Sequence, residues 1–257
     1  MILKDTILLQ ESILSSLDTI SLKEIKTVSL LKRRDSKYSI AVEDLESLLL
    51  ALQTSHYVLS IENKNVQTYQ NTYYDTPDFQ MYLKHHNKNA HRYKIRTREY
   101  LESQNCFLEI KQRSNKGVHL KKRIAIPHCS INNNLECQEW INSNSPFIWD
   151  DLTPIIGNHF QRITLVDKNF TERLTIDLNI QSWNMHKSSE IIEWTPIAIV
   201  ELKRKMSTSS NTLKILRDLR FKPQQWSKYA IAISCLFPEI IKTNRFKRTL
   251  NFLSKES

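Results

Sequence analysis

The chain has 257 residues, 40% of them hydrophobic, which suffices for one large α+β domain or two small ones. Lysine and arginine outnumber aspartate and glutamate 37 to 27, a formal net charge of +10, so the expected partners are anionic: nucleotide, polyphosphate, nucleic acid or an acidic membrane surface. With only two glycines, Gly117 and Gly157, neither a phosphate-cradling glycine loop nor a dinucleotide-binding fingerprint can be written anywhere, so any bound phosphate must be held by side chains.

Residues 6 to 20 place Ile7, Leu8, Leu9, Ile13, Leu14 and Leu17 mostly at helical spacing, and Ser21-Leu22-Lys23-Glu24 has capping-box form, which predicts a helical lead-in over 1–28. A strand fits Ser29 to Ile40. Val42 to Leu52 reads as an amphipathic helix with Leu45, Leu48, Leu49 and Leu52 on one stripe and Glu43 and Glu46 on the other. From residue 57 to 126 the period is two, over Tyr57–Glu62, Gln67–Tyr74, His91–Leu101, Cys106–Arg113 and His119–Ile126, separated by Asn, Asp, Pro or Gly: an antiparallel meander. A polar, Asn-rich stretch follows, with a short helix near Leu135 to Ile141. Three more strands fit Phe160–Asp167, Arg173–Ile180 and Pro196–Arg204, then two helices near Thr212–Leu219 and Ser227–Phe237, and a basic tail from 239 to 257.

Cys106, Cys129, Cys137 and Cys235 stand far apart with no C-x-x-C pair, and read as reduced and incidental. The start, Met1-Ile2-Leu3-Lys4-Asp5, lacks a signal-like apolar run, and no stretch reaches the roughly 20 apolar residues that span a bilayer, so a cytoplasmic chain is expected.

The charge itself alternates. Arg92-Tyr93-Lys94-Ile95-Arg96-Thr97-Arg98 puts four cations on one side of a strand, and the pattern recurs with Glu109, Lys111 and Arg113, with Lys121 and Arg123, and with Glu201 and Lys203. The opposite rows are apolar: Leu108 and Ile110, Ile124 and Ile126, Leu174, Ile176 and Leu178, Val200 and Leu202. About eight strands suit a closed antiparallel barrel, and this patterning makes sense if helices pack outside while a wet interior holds anions. The fold class expected is therefore α+β, a closed antiparallel barrel over 29–238 with helices outside. Histidines His85, His86 and His91 lack the spacing of a metal site and read as surface residues. Trp226 and Tyr229 fit either an adenine platform or simple packing. Asp75, before Thr76-Pro77, reads as a turn residue, and Asp177 as a turn or ion-pair carboxylate.

Nine motifs in order resemble the catalytic domain of the vacuolar transporter chaperone (VTC) family of polyphosphate polymerases, in its bacterial form, within the triphosphate tunnel metalloenzymes. They are Arg33-Arg34-Asp35-Ser36-Lys37-Tyr38, Thr72-Tyr73-Tyr74-Asp75-Thr76, the Arg92–Tyr100 strand, Leu108-Glu109-Ile110-Lys111, Lys121-Lys122-Arg123, Arg162-Ile163-Thr164, Glu172-Arg173-Leu174-Thr175-Ile176-Asp177, Val200-Glu201-Leu202-Lys203 and Ser227-Lys228-Tyr229. The resemblance implies phosphate contacts at Lys37, Arg96, Arg98, Lys111, Arg162 and Lys228, further substrate-binding lining at Lys121, Arg123, Arg173 and Lys203, and a divalent metal, Mn²⁺ or Mg²⁺, at Glu201. Arginine forks, mobile lysine charges and one carboxylate suit that chemistry. Glu109 serves equally as an ion-pair partner or a ligand.

The implied reaction is transfer of the γ-phosphoryl group of ATP to a growing polyphosphate chain held in a basic tunnel. The implied partners are ATP and polyphosphate, with no nucleic acid; a membrane-protein partner, and association with a membrane through it, stay open. Two departures matter. The triphosphatase and adenylyl-cyclase branch carries E-x-E-x-K on its first strand, whereas here the parity reads Arg33, Asp35, Lys37, which favours a polyanionic product over hydrolysis. Phe160 stands where the resemblance expects a tyrosine. The alternatives are a tunnel triphosphatase acting on inorganic or nucleoside triphosphate, and a non-catalytic module binding polyphosphate or RNA, whose affinity would be strongly salt-dependent.

Overall fold

The computed structural model describes residues 12–27, 33–116, 118–187, 189–206 and 209–256. Ile7, Leu8 and Leu9 of the expected lead-in, the start of the first strand at Ser29, and the side chain of Arg33 lie outside what is described. Of the lead-in, residues 12–16 and Leu22–Thr27 are helical, and the capping box forms: the Ser21 backbone N–H and hydroxyl both donate to Glu24.

Among the described residues eleven strands make one sheet: β1 (Thr19–Ile20), β2 (Arg33–Ala41), β3 (His56–Leu59), β4 (Val66–Asp75), β5 (Arg92–Tyr100), β6 (Asn105–Arg113), β7 (His119–Ile126), β8 (Thr153–Asp167), β9 (Glu172–Asn184), β10 (Ile191–Trp194) and β11 (Ile197–Lys205). The main path runs β2-β11-β9-β8-β4-β5-β6-β7, every step antiparallel, with β3 on β8, β10 on β9 and the short β1 parallel to β3. The fold is α+β with a large antiparallel sheet.

The closure expected of a barrel is not seen among the described residues, where β7 and β2 do not pair and the path ends at both. The reason lies on the β2 edge. The Gln224 N–H donates to the Lys37 carbonyl at 2.7 Å, so the segment leading into helix Lys228–Leu236 occupies backbone that a closing strand would use. The sheet is nonetheless bent round. Lys94 on β5 donates to the Ser227 hydroxyl at 2.8 Å, in the segment whose Gln224 bonds β2, and the Lys37 charge on β2 acts directly on Lys94, which requires the two to be near. A flat sheet would hold β2 and β5, five steps apart in the order, about 24 Å from each other.

The convex side is the core. Tyr38, Ile40, Ile163, Leu165, Leu174, Ile176, Val200 and Leu202 pack on the Leu45, Leu48, Leu49 and Leu52 stripe of helix Leu45–Leu52. Tyr93, Ile95, Leu108, Ile110 and Ile126 are covered by helix Leu135–Asn144 through Cys137 and Ile141. Each such side chain contributes about 1.5–3 kcal/mol when fully buried. Helix Lys228–Leu236 packs instead on Tyr73, Phe160 and Ile199, filling one end of the concave side. Asp75 does shape the turn after β4: its buried carboxylate accepts the N–H groups of Thr76, Met81 and Tyr82 and the Tyr229 hydroxyl, tying helices Gln80–His86 and Lys228–Leu236 to the sheet. No described helix is long and apolar enough to cross a membrane.

Other expectations shift as well. Helix Gln80–His86 buries His86, which packs on Tyr82 and Phe246 rather than facing solvent. The basic tail forms helix Lys247–Glu256; Lys247 and Arg248 are exposed, but Phe246 and Leu253 are buried beside helix Lys228–Leu236. β8 starts seven residues before the expected Phe160, at Thr153, because Pro154 sits at its first turn of pairing, where a missing N–H is tolerated. Gly157 then stands opposite Trp183 of β9, and a Cβ there would lie 2.0 Å from the indole. Gly157→Ala should therefore destabilise the protein by about 1–3 kcal/mol through overpacking, read as a lower denaturant midpoint; an unchanged midpoint would show that Trp183 can swing away.

Candidate active site

Cross-strand register carries one parity from strand to strand across the concave face. Lys37 stands opposite Glu201, Glu201 opposite Thr175, Arg162 opposite Asp177, Gln67 opposite Arg162, Asn71 opposite Arg98, Arg96 opposite Glu109 and Lys111 opposite Lys121. Among the described residues the sequence alternation thus becomes a single charged surface on which nine cations, Lys37, Lys94, Arg96, Arg98, Lys111, Lys121, Arg162, Lys203 and Lys228, surround the ion-paired carboxylates Glu109, Asp177 and Glu201, with Asp35 opposite Lys203.

Each carboxylate is divided between two cations. Glu109, fully buried, bonds the Arg96 guanidinium and the Lys121 ammonium, both at 2.5 Å. Asp177 takes Nε of Arg162 at 2.5 Å and Nη2 at 2.8 Å, and also bonds Lys228. Glu201 bridges Lys37 at 2.6 Å and Lys203 at 3.3 Å. Burial pulls all three carboxyls upward, but the paired cations win and hold each well below the usual carboxylate range.

That leaves Lys94, Arg98 and Lys111 with no carboxylate partner among the described residues. Arg98 is 7% exposed, donates from Nε to Asn71 at 2.8 Å, and lies over the Tyr69 ring at 4.9 Å. Burial brings Lys94 down to about 7, helped by Arg92, Lys37 and Arg96. The Arg96 charge, then desolvation and Arg98, push Lys111 well below the lysine range, although water reaches it. Burial likewise brings Lys228 down to about 8 in spite of Asp177. Burial and mutual repulsion both lower these lysines, and negative charge brought to this face would raise them again.

Of the residues singled out in the sequence, Lys37, Arg96, Arg98, Lys111, Lys121, Arg162, Lys203, Lys228 and Glu201 meet on this face. Arg123 lies over Phe107 at 4.7 Å and is exposed, and Arg173 sits at the rim, where Nη2 donates to the Ile25 carbonyl at 3.4 Å. Phe160, without the expected hydroxyl, places its ring 4.3 Å from the Lys228 ammonium and 5.2 Å from the Arg162 guanidinium, and stacks on Tyr69. Trp226 and Tyr229 are packing residues, buried against Trp194 and Tyr73. Lys94 and Asp177 were not assigned to the site by sequence reasoning; the signal for both was parity, since Lys94 alternates with Arg96 and Asp177 with Thr175 and Arg173.

The divalent metal implied at Glu201 can be tested against the neighbourhood. Directly opposite Glu201 the Thr175 hydroxyl is buried with no hydrogen-bond partner among the described residues, a polar vacancy next to an ionised carboxylate. One carboxylate and a hydroxyl suit a hard cation that keeps most of its ligands as water or substrate.

Comparisons with known proteins bear on the family and the fold. No curated protein matches the sequence. Among solved structures, a candidate adenylyl cyclase from Hippeastrum, described as having a dominant triphosphatase activity, superposes with a TM-score of 0.50 at 14% identity, over 82% of this chain and 99% of that one. A candidate adenylate cyclase from Bacillus halodurans gives 0.49 at 14% identity over 80% and 97%, and one from Vibrio parahaemolyticus 0.47 at 10% over 81% and 97%. The model of the VTC domain matches residues 32–237, and the chain belongs to the VTC domain family.

Proposed function

We propose that the protein is an ATP-dependent polyphosphate polymerase, transferring the γ-phosphoryl group of ATP to the end of a polyphosphate chain lying along the concave face. The observation that carries this reading is the charge imbalance: three carboxylates are shared among six cations while Lys94, Arg98 and Lys111 have none. A run of phosphates would supply the missing negative charge along the whole row. The preference over a hydrolase rests on the first strand, where Asp35 and Lys37 follow an arginine instead of a second carboxylate.

Phosphoryl transfer asks mainly for in-line positioning and for fixed charge around the moving group. Arg96, Arg98 and Arg162 are held by Glu109, Asn71 and Asp177 and supply planar donors whose orientation is set beforehand. Lys37, Lys111, Lys121 and Lys203 supply point charges, and Lys228 holds the end filled by its helix. Glu201, with Thr175 beside it, would hold the divalent metal, which when bound neutralises phosphate charge and polarises phosphoryl oxygens. The terminal phosphate of the acceptor is itself an anionic nucleophile, so no separate base is required.

Incubation with ATP and Mn²⁺ or Mg²⁺ should yield polymer resolved by gel sizing. Release of orthophosphate alone would assign a triphosphatase, and tight salt-dependent binding without turnover would assign a binding module. Glu201→Gln should lower ATP turnover about a hundredfold or more while polyphosphate binding persists; undiminished turnover would remove Glu201 from the site.

Affinity should also depend on pH with a definite sign. Lys94 and Lys228, at about 7 and about 8, are charged below those values and neutral above them. Anion binding favours the charged forms, so polyphosphate affinity falls as pH rises from about 6 to about 9, by a factor of about ten for each pKa unit regained on binding. Glu109, Asp177 and Glu201 stay ionised throughout that window. A flat profile in direct binding titrations would contradict the assignment of these two lysines.

A further inference from the structure

On the convex side, away from the charged face, the structure brings together two of the four cysteines that stand far apart in sequence. Glu99 of β5 is directly opposite Cys106 of β6, and Cys106 is opposite Ile126, the last residue of β7. Three residues further on, Cys129 folds back over this pair. The two sulfurs and a Glu99 carboxylate oxygen all lie within 4.8 Å of one another. Cys106 is buried, and Glu99 and Cys129 are half-buried.

We propose that Glu99, Cys106 and Cys129 form a binding site for one soft divalent cation, Zn²⁺ or its chemical equivalent Cd²⁺. The donor set is the argument. Two sulfurs and one carboxylate select Zn²⁺-like ions over the hard Mg²⁺ and Mn²⁺ that a lone carboxylate such as Glu201 suits. A metal about 2.3 Å from each sulfur and about 2.1 Å from the oxygen needs ligand atoms about 3.5–3.8 Å apart in a tetrahedron, so closure asks for side-chain movement of about 1 Å or less. The fourth position falls to water, and an open cleft of about 430 Å³ lined by Pro127, His128 and Ser130 brings solvent to the loop carrying Cys129. Burial, with Cys106 and Glu99 as neighbours, pushes the Cys129 thiol up, so without metal Cys129 keeps its proton. Binding exchanges the two thiol protons, released to solvent, for the cation; two thiolates, one carboxylate and a dication then sum to one negative charge.

Such a metal would fasten the exit of β7, the last strand of the path, to β5 and β6. This inference is independent of the reading of the concave face. The test uses the full chain, reduced and stripped of metal, titrated with Cd²⁺ and followed by the ultraviolet thiolate-to-metal charge-transfer band. One equivalent should generate the band, excess Mg²⁺ should not displace it, and Zn²⁺ should displace it while raising the unfolding temperature. Cys106→Ser or Cys129→Ser should abolish the band, Cys235→Ser should retain it, and Glu99→Gln, at a half-buried position where the fold is least at risk, should weaken binding about tenfold or more. The proposal is overturned if the reduced wild-type chain gives no band, if the band survives in the Cys106→Ser and Cys129→Ser double variant, or if Glu99→Gln binds Cd²⁺ as tightly as wild type.

Discussion

Like charge on one face of a sheet repels, and the rest of this molecule is arranged around that repulsion. Three carboxylates each serve two cations drawn from different elements: Glu109 joins β5 to β7, Asp177 joins β8 to helix Lys228–Leu236, and Glu201 joins β2 to its own strand β11. These shared pairs are cross-links as well as neutralisers, and removing one acid would leave two cations without their partner at once. Partial neutralisation is also what keeps the surface selective. Complete pairing would leave nothing for a ligand to do, and no pairing would drive the strands apart.

The same constraint explains the layers. Because alternate residues must face the charged side, the intervening ones must be apolar, and they need helices over them: Leu45–Leu52 on one part of the convex face, Leu135–Asn144 on another. Helix Lys228–Leu236 has a different role. It enters the concave side, packs on Tyr73 and Phe160, and begins at Ser227, which both caps the helix by accepting the Ala230 N–H and accepts from Lys94. The helix start is therefore fixed by the strand that carries the charged row.

Much of this was legible in the sequence because a period of two is a direct readout of which side a residue faces. The row Arg92 to Arg98, the Glu109 and Lys111 pair and the Glu201 and Lys203 pair all fall on the side that parity predicts. What parity cannot give is closure. Whether the ends of a sheet meet depends on what else competes for edge hydrogen bonds, and the backbone of Gln224 carries no compositional mark of that competition. Nor does parity reveal contacts between sides of different strands, which is why Cys106 and Cys129 looked unrelated, and why Asp177 could be read as an ion-pair carboxylate without its two partners being identifiable. The start of β8 was missed for another reason: Pro154 and Gly157 interrupt the strand pattern before Phe160, and only the Trp183 indole opposite explains a glycine inside a strand.

The outer edge of β2 has a mechanical consequence. A ladder of paired strands yields only by breaking its hydrogen bonds together, whereas an edge met by a connecting segment can loosen locally, at the expense of a few contacts such as the one between Gln224 and Lys37. That edge can therefore give while the paired strands stay intact, so that displacement there is taken up by the connecting segment and not by strain spread through the whole sheet.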